Sequence, residues 1–317
     1  MPSGDGRRRF SDGFTLLELL VALAVTLLLA GLVLAVITRT IDGWRRASES
    51  AMLVVEANQL LDLLECDLQC VLRSRNATTW LTAQMCDDPD ELRDRFGWNI
   101  DHPAIGRMKP PGVISLDAWS AVGPPAGRLT GARFGLGGCW LRFVALGSDG
   151  RPQAVAYGIG RRIIGGGLSG KPRYCLMRTA VPATLATGVD LAGGWAEELA
   201  SPAATDLLAT GVVDFGLWLG TLGDSSGSGL RRVYPRSGAD LVPYGANGLT
   251  GSDYADRNPG YADVMVRLLT PEGERLLQEM EVGAGRLSAA DDAEWWAMVM
   301  AHSMVFMRRV EFKSEGL

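Results

Sequence analysis

From residue 14 to residue 38 the chain is almost unbroken in its apolar side chains, FTLLELLVALAVTLLLAGLVLAVIT, and Glu18 is the one charge within it. As a helix, about 25 residues suffice to cross a hydrocarbon core of ~30 Å. The residues before it are polar and basic: Arg7, Arg8 and Arg9, then Ser11, Asp12 and Gly13. A removable secretory signal needs only about 7 to 15 apolar residues followed by a cleavage site, so the run reads as an anchor. Glu18 is the anomaly, because a charge inside a bilayer costs about 2.5 to 3.5 kcal/mol. Either it snorkels to water at the near end of the span, or something compensates it.

Beyond residue 38 the pattern becomes amphipathic. Ile41, Trp44, Met52, Val55, Leu60, Leu64, Leu68 and Val71 recur at helical spacing, with no proline and only Gly43 to interrupt them. The spacing predicts one helix from residue 14 to about 73, roughly 90 Å long at 1.5 Å per residue. Its outer half should lie against a folded head. Residues 76–138 are rich in Pro, Gly and Asp and read as a loop-rich insertion, with a short helix at 89–95. Then the period changes to that of strands. Residues 140–146 and 154–159 flank the turn Gly147, Ser148, Asp149, Gly150 and predict a β-hairpin. Further strands are expected at 173–178, 212–219 and 262–269, and a tail helix at 289–307 with Trp295, Met298, Val299, His302 and Val305 on one stripe. The fold class is therefore α+β. The organisation is a leader (1–13), a membrane half-helix (14–38), its amphipathic continuation (39–75), the insertion (76–138), a β-sheet head (139–280) and a C-terminal extension (281–317).

Composition narrows the function. With 31 Lys+Arg against 36 Asp+Glu, a formal net charge of −5 gives no basic groove for nucleic acid. The pairs Arg161 and Arg162, Arg231 and Arg232, and Arg308 and Arg309 are isolated. Two histidines and five cysteines are few for a metal or nucleophile enzyme, and none of the H-E-x-x-H, C-x-x-C or G-x-S-x-G motifs is present. Cys66 and Cys70 share a helix face, Cys86, Cys139 and Cys175 are scattered, and an odd count leaves at least one thiol over.

The stretch Gly13, Phe14, Thr15, Leu16, Leu17, Glu18 resembles the class III signal of type IV prepilins and of type II secretion pseudopilins. In that family a basic leader ends in glycine, and Phe-Thr-Leu-x-Glu opens the apolar helix. The resemblance implies that a prepilin peptidase cuts between Gly13 and Phe14 and methylates the new amino terminus of Phe14. It also implies that Glu18, fifth in the mature chain, pairs with the terminal amine of a neighbouring subunit. The fold it implies is pilin-like: a long N-terminal helix packed on an antiparallel β-sheet. The order of segments, with Val155-Ala156-Tyr157, Leu176-Met177-Arg178, VVDFGLWL at 212–219 and VMVRLL at 264–269, is similar to the minor pseudopilin J of type II secretion. The Verru_Chthon cassette prepilin-like proteins have the same leader and comparable length. Partners implied are other minor and major (pseudo)pilins, an assembly ATPase, an assembly platform membrane protein and the inner membrane, with the head periplasmic.

Other motifs read as bland. Residues 165–171 have the G-x-x-x-x-G-K spacing of a phosphate loop, but Pro172 replaces the Ser/Thr and a strand follows where a helix is needed. The oxygen-rich stretch 224–263, with Asp240, Asp253, Asp256 and Asn258, could hold calcium, Asp253 and Asp256 being the candidate ligands, yet its spacing fits no EF-hand. A solvated loop without cofactor is the expectation. Asn76-Ala77-Thr78 fits a glycosylation acceptor and carries little weight beside a bacterial-type leader. The alternatives to a minor pseudopilin are a minor type IV pilin for adhesion, motility or DNA uptake, and a membrane-anchored periplasmic enzyme or binding protein. The last would need a constellation of catalytic groups that the sequence does not display.

Overall fold

The computed structural model describes residues 15–73, 79–85, 139–164, 172–183, 191, 199, 204–221, 231–234, 244–246, 258–282 and 292–312. The chain divides into two units, residues 1–51 and 52–317. The described part of the first unit is Thr15 followed by helix α1, and the second holds the end of α1 and the head. Helix α1 runs Leu16–Gln69, as the unbroken apolar and then amphipathic pattern dictates. Along its apolar part the threonine hydroxyls donate to carbonyls of the preceding turn: Thr26 to Ala22 (2.8 Å), Thr38 to Leu34 (3.0 Å). Each polar group there is thereby satisfied within the helix, the arrangement a lipid environment demands.

In the second unit the inward residues of α1, Leu53, Ala57, Leu60, Leu61, Leu64 and Leu68, are buried in the same apolar cluster as both sheets. The sequence suggested one antiparallel sheet; the described residues form two. Ten strands are described: β1 (Leu81–Met85), β2 (Cys139–Leu146), β3 (Pro152–Ile163), β4 (Pro172–Pro182), β5 (Leu207–Thr210), β6 (Val212–Thr221), β7 (Arg231–Tyr234), β8 (Tyr244–Ala246), β9 (Tyr261–Leu269) and β10 (Ser303–Glu311). One sheet has the order β5-β4-β3-β2-β1-β8, the other β10-β9-β6-β7, and every pairing is antiparallel. The expected hairpin is β2 with β3, in the register Leu141 opposite Tyr157 and Phe143 opposite Val155. The sheets meet through aromatic rings: Phe143 stacks on Tyr157, and Tyr157 packs against Phe215 of the other sheet, with centroids 6.1 and 6.4 Å apart.

The chain first passes from one sheet to the other at Gly211, between β5 and β6. Its φ of +72° is the left-handed region open to glycine. Its N–H donates to Tyr174 O of β4 (2.8 Å) and its carbonyl accepts from Leu269 N of β9 (2.8 Å), so one residue is bonded to both sheets.

Helices α2 (Pro271–Val282) and α3 (Asp292–Ala301) follow β9. The tail helix expected over 289–307 is thus corrected: the helix stops at Ala301, and Ser303–Glu311 is strand β10, paired along its whole length with β9. The apolar stripe misled because Trp295 and Val299 do lie on a buried helix face, while Val305, 40% exposed, belongs to the strand. Strand β1 likewise lies within the stretch read as a loop-rich insertion, between β2 and β8. The short helix expected at 89–95 lies outside the described residues.

Candidate functional site

The start of α1 is built on Thr15. Its carbonyl accepts the first intrahelical bond, from Leu19 N (3.2 Å), and its hydroxyl oxygen accepts from the Glu18 N–H (3.3 Å). In return the Glu18 carboxylate accepts the Thr15 N–H at 2.9 Å and the Thr15 hydroxyl at 3.0 Å, both on Oε2. This is a capping box, Thr-x-x-Glu, in which two of the four N–H groups that a helix start leaves orphaned are satisfied reciprocally. Such a cap stabilises a helix start by about 1 kcal/mol, and an unsatisfied donor costs more in hydrocarbon than in water. A carboxylate here also faces the positive end of the helix dipole.

Glu18 is therefore no lone charge in an apolar run. It closes the first turn, and its Oε1 makes no hydrogen bond to a described residue. Thr15 is the residue that attention to Glu18 alone overlooks; the signal is the Thr-x-x-Glu spacing immediately before an apolar run. Gly13 and Phe14, the expected cleavage pair, lie outside the described residues.

Away from this end, charged groups fasten α1 and α2 to the head. Asp67 of α1 accepts from Arg178 Nε (2.7 Å) and Nη2 (3.0 Å) and from the Tyr157 hydroxyl (2.5 Å). Burial, and then the Asp67 charge, push the Tyr157 phenol above its ordinary range, while the bonds to Asp67 raise the Arg178 guanidinium. Arg308 of β10 pairs with Asp62 and with Glu65 of α1, the latter at 3.1 Å. Arg173 of β4 makes a bidentate pair with Glu274 of α2, both contacts at 2.5 Å, and Tyr174 donates to Glu281, which also accepts from Trp295 Nε1 (3.1 Å). These groups are occupied with one another and hold elements in place.

The calcium candidates Asp253 and Asp256, together with Asp240, lie outside the described residues, as do residues 165–171, Asn76 and Cys86. Asn258 is described, and its amide oxygen accepts from Trp80 Nε1 (3.2 Å), a packing role. Asp263 is held bidentately by Arg309 at 2.6 and 2.7 Å. Among the described residues no group of three or more His, Cys, Asp or Glu side chains could hold a metal. His302 ends α3, its N–H donating to the carbonyls of Met298 (3.2 Å) and Val299 (3.3 Å). Cys139 and Cys175 are buried, and Cys175 Sγ donates to Gly160 O (3.2 Å); Cys66 of α1 and Cys70 just after it are exposed.

Among the described residues α1 alone is long and apolar enough to cross a membrane. Residues 8–34, which take in the end of the basic leader, the cap and most of the apolar run, match the family described as the prokaryotic N-terminal methylation motif. No curated protein and no solved structure matches the chain. The motif implies processing by a prepilin peptidase and assembly with other pilins, and a membrane anchor is what the apolar helix beneath it fits. That motif heads a long helix that continues into antiparallel sheets, and the combination supports a type IV prepilin-like protein.

Proposed function

We propose that the chain is a minor pseudopilin, a non-enzymatic subunit of a type II secretion-like filament that acts at the tip and primes assembly. Before assembly, residues 14–38 hold it in the inner membrane in a single pass, amino terminus cytoplasmic and head periplasmic. The peptidase cuts between Gly13 and Phe14 and methylates Phe14. Its partners are then other minor and major pseudopilins and the platform membrane protein, and no cofactor is involved.

The observation that carries this reading is the Thr15 and Glu18 pair under the methylation motif. Cleavage after Gly13 leaves a terminal amine one residue before the cap. Oε2 of Glu18 serves its own helix, while Oε1 is available to accept from the amine of a neighbouring protomer. Two groups that are each costly in lipid are then neutralised only in the correct axial register. Such a pair specifies position more than it adds stability, and removing one partner strands the other.

The test is Glu18→Ala, expressed with the peptidase and the other subunits of the filament. Cleavage and methylation should proceed as in the parent, while the variant stays in the membrane and is missing from sheared filaments. Normal entry of Glu18→Ala into filaments would remove the proposed role.

A further inference from the structure

Between the end of the apolar run at Thr38 and Leu53, the first residue of α1 that is buried, lies helix covered neither by apolar sequence nor by packing. Its first turns carry Arg39, Ile41, Asp42, Trp44, Arg45 and Arg46. Trp44 is 80% exposed, although so large an aromatic side chain usually finds cover. Among the described residues Arg39 and Arg46 make no ion pair, and Arg45 gives only its Nε to Glu49 (2.9 Å), leaving both terminal nitrogens. Three arginines against Asp42 leave residues 39–46 with a net charge of +2.

We infer that residues 39–46 form a collar that binds the phosphates of anionic phospholipids at the end of the span remote from the methylation motif, and so fixes how deeply the helix sits. The inference rests on the reading of 14–38 as a membrane anchor. Position argues for it first. At 1.5 Å per residue Arg39 stands about 1.5 Å beyond the apolar run, Trp44 about 9 Å and Arg46 about 12 Å. The headgroup layer on each side is about 5 to 8 Å thick, and long arginine stems bend several ångströms towards it. Chemistry argues for it second. Tryptophan favours the headgroup level, where one side of the ring is apolar and the N–H is wet. Guanidinium binds phosphate by two parallel N–H bonds, and three of them within about two helix turns match a layer of anionic headgroups. A subunit leaving the bilayer must break these contacts, which makes its release dependent on salt and on lipid charge.

The test uses the full chain purified in a non-ionic detergent, beside the variant Arg39→Gln, Arg45→Gln, Arg46→Gln. Native mass spectrometry follows retention of phosphatidylglycerol and phosphatidylcholine across a titration. The parent should retain phosphatidylglycerol preferentially, the triple variant should lower that retention about a hundredfold, and millimolar inorganic phosphate should not displace the lipid. Equal retention of the two lipids, an unchanged triple variant, or displacement by free phosphate would each overturn the collar. Extraction of both proteins by alkaline carbonate separates the two readings. If both resist extraction, the anchor stands and the lipid data alone judge the collar; if the parent itself is extracted, the anchor fails and the collar with it.

Discussion

Glu56 lies half-buried on α1 beside the Arg173 and Glu274 pair. Burial first, and the Glu274 charge second, raise its carboxyl above the ordinary 4.5, with Arg173 opposing. A carboxyl whose folded value is raised binds its proton more tightly in the folded state. Its penalty is therefore present at neutral pH and is relieved as pH falls through the raised value towards 4.5. Glu56→Gln should melt at a higher temperature than the parent at pH 7, the difference shrinking as pH is lowered to about 4.5; an equal or lower melting temperature at pH 7 would refute this. A second test at this scale concerns Gly211. A Cβ there would meet nothing closer than 3.6 Å, so the objection to a side chain is the φ of +72° and not space. Gly211→Ala should cost about 1 to 2 kcal/mol in a denaturant titration and Gly211→Asn visibly less. Equal losses would mean that packing sets the cost. At Gly220 the reverse holds: an added Cβ would lie 2.1 Å from the ring of Tyr261, its partner across β6 and β9.

The Asp67, Arg178 and Tyr157 cluster is where α1 meets the six-stranded sheet. Asp67 is largely buried and takes three hydrogen bonds from β3 and β4. Asp67→Ala leaves a guanidinium and a phenol without their acceptor, and about 2 to 3 kcal/mol of stability should be lost. Adding Arg178→Ala to it should cost much less than the two single changes together, because the pair acts as a unit; strict additivity would argue against the cluster. At this scale the sequence is legible where the pattern is long or the turn chemistry strong. Helix α1 and the β2 to β3 hairpin belong to that class. Legibility fails at residues 303–311, where S-M-V-F-M-R-R-V-E carries apolar residues that continue the helical stripe of α3. Only pairing with β9, a partner more than thirty residues away, decides that the segment is extended. Strand β1 is five residues long and bounded by loop-like composition, so its sheet position is likewise a tertiary decision. The step from the first sheet to the second between β5 and β6 is made at Gly211, whose conformation no periodicity reveals. At the candidate site, Glu18 stood out as a charge among apolar residues, whereas its bond to Thr15 required the capping geometry.

Taken whole, one helix carries two different surfaces in sequence. Residues 16–38 are exposed and apolar, as lipid or a neighbouring helix requires, and from Leu53 onward the same helix supplies the core of the head. The buried and half-buried carboxylates Asp67, Asp263 and Glu274 are each paired with an arginine that ties two elements together. The proposed assembly requires that the chain is processed at its leader, since the terminal amine created there is the proposed partner of Glu18. The most direct measurement is the intact mass and amino-terminal sequence of the chain co-expressed with a prepilin peptidase. The expected product begins at N-methylated Phe14. A chain that keeps Arg7, Arg8 and Arg9 while still entering filaments would contradict the account.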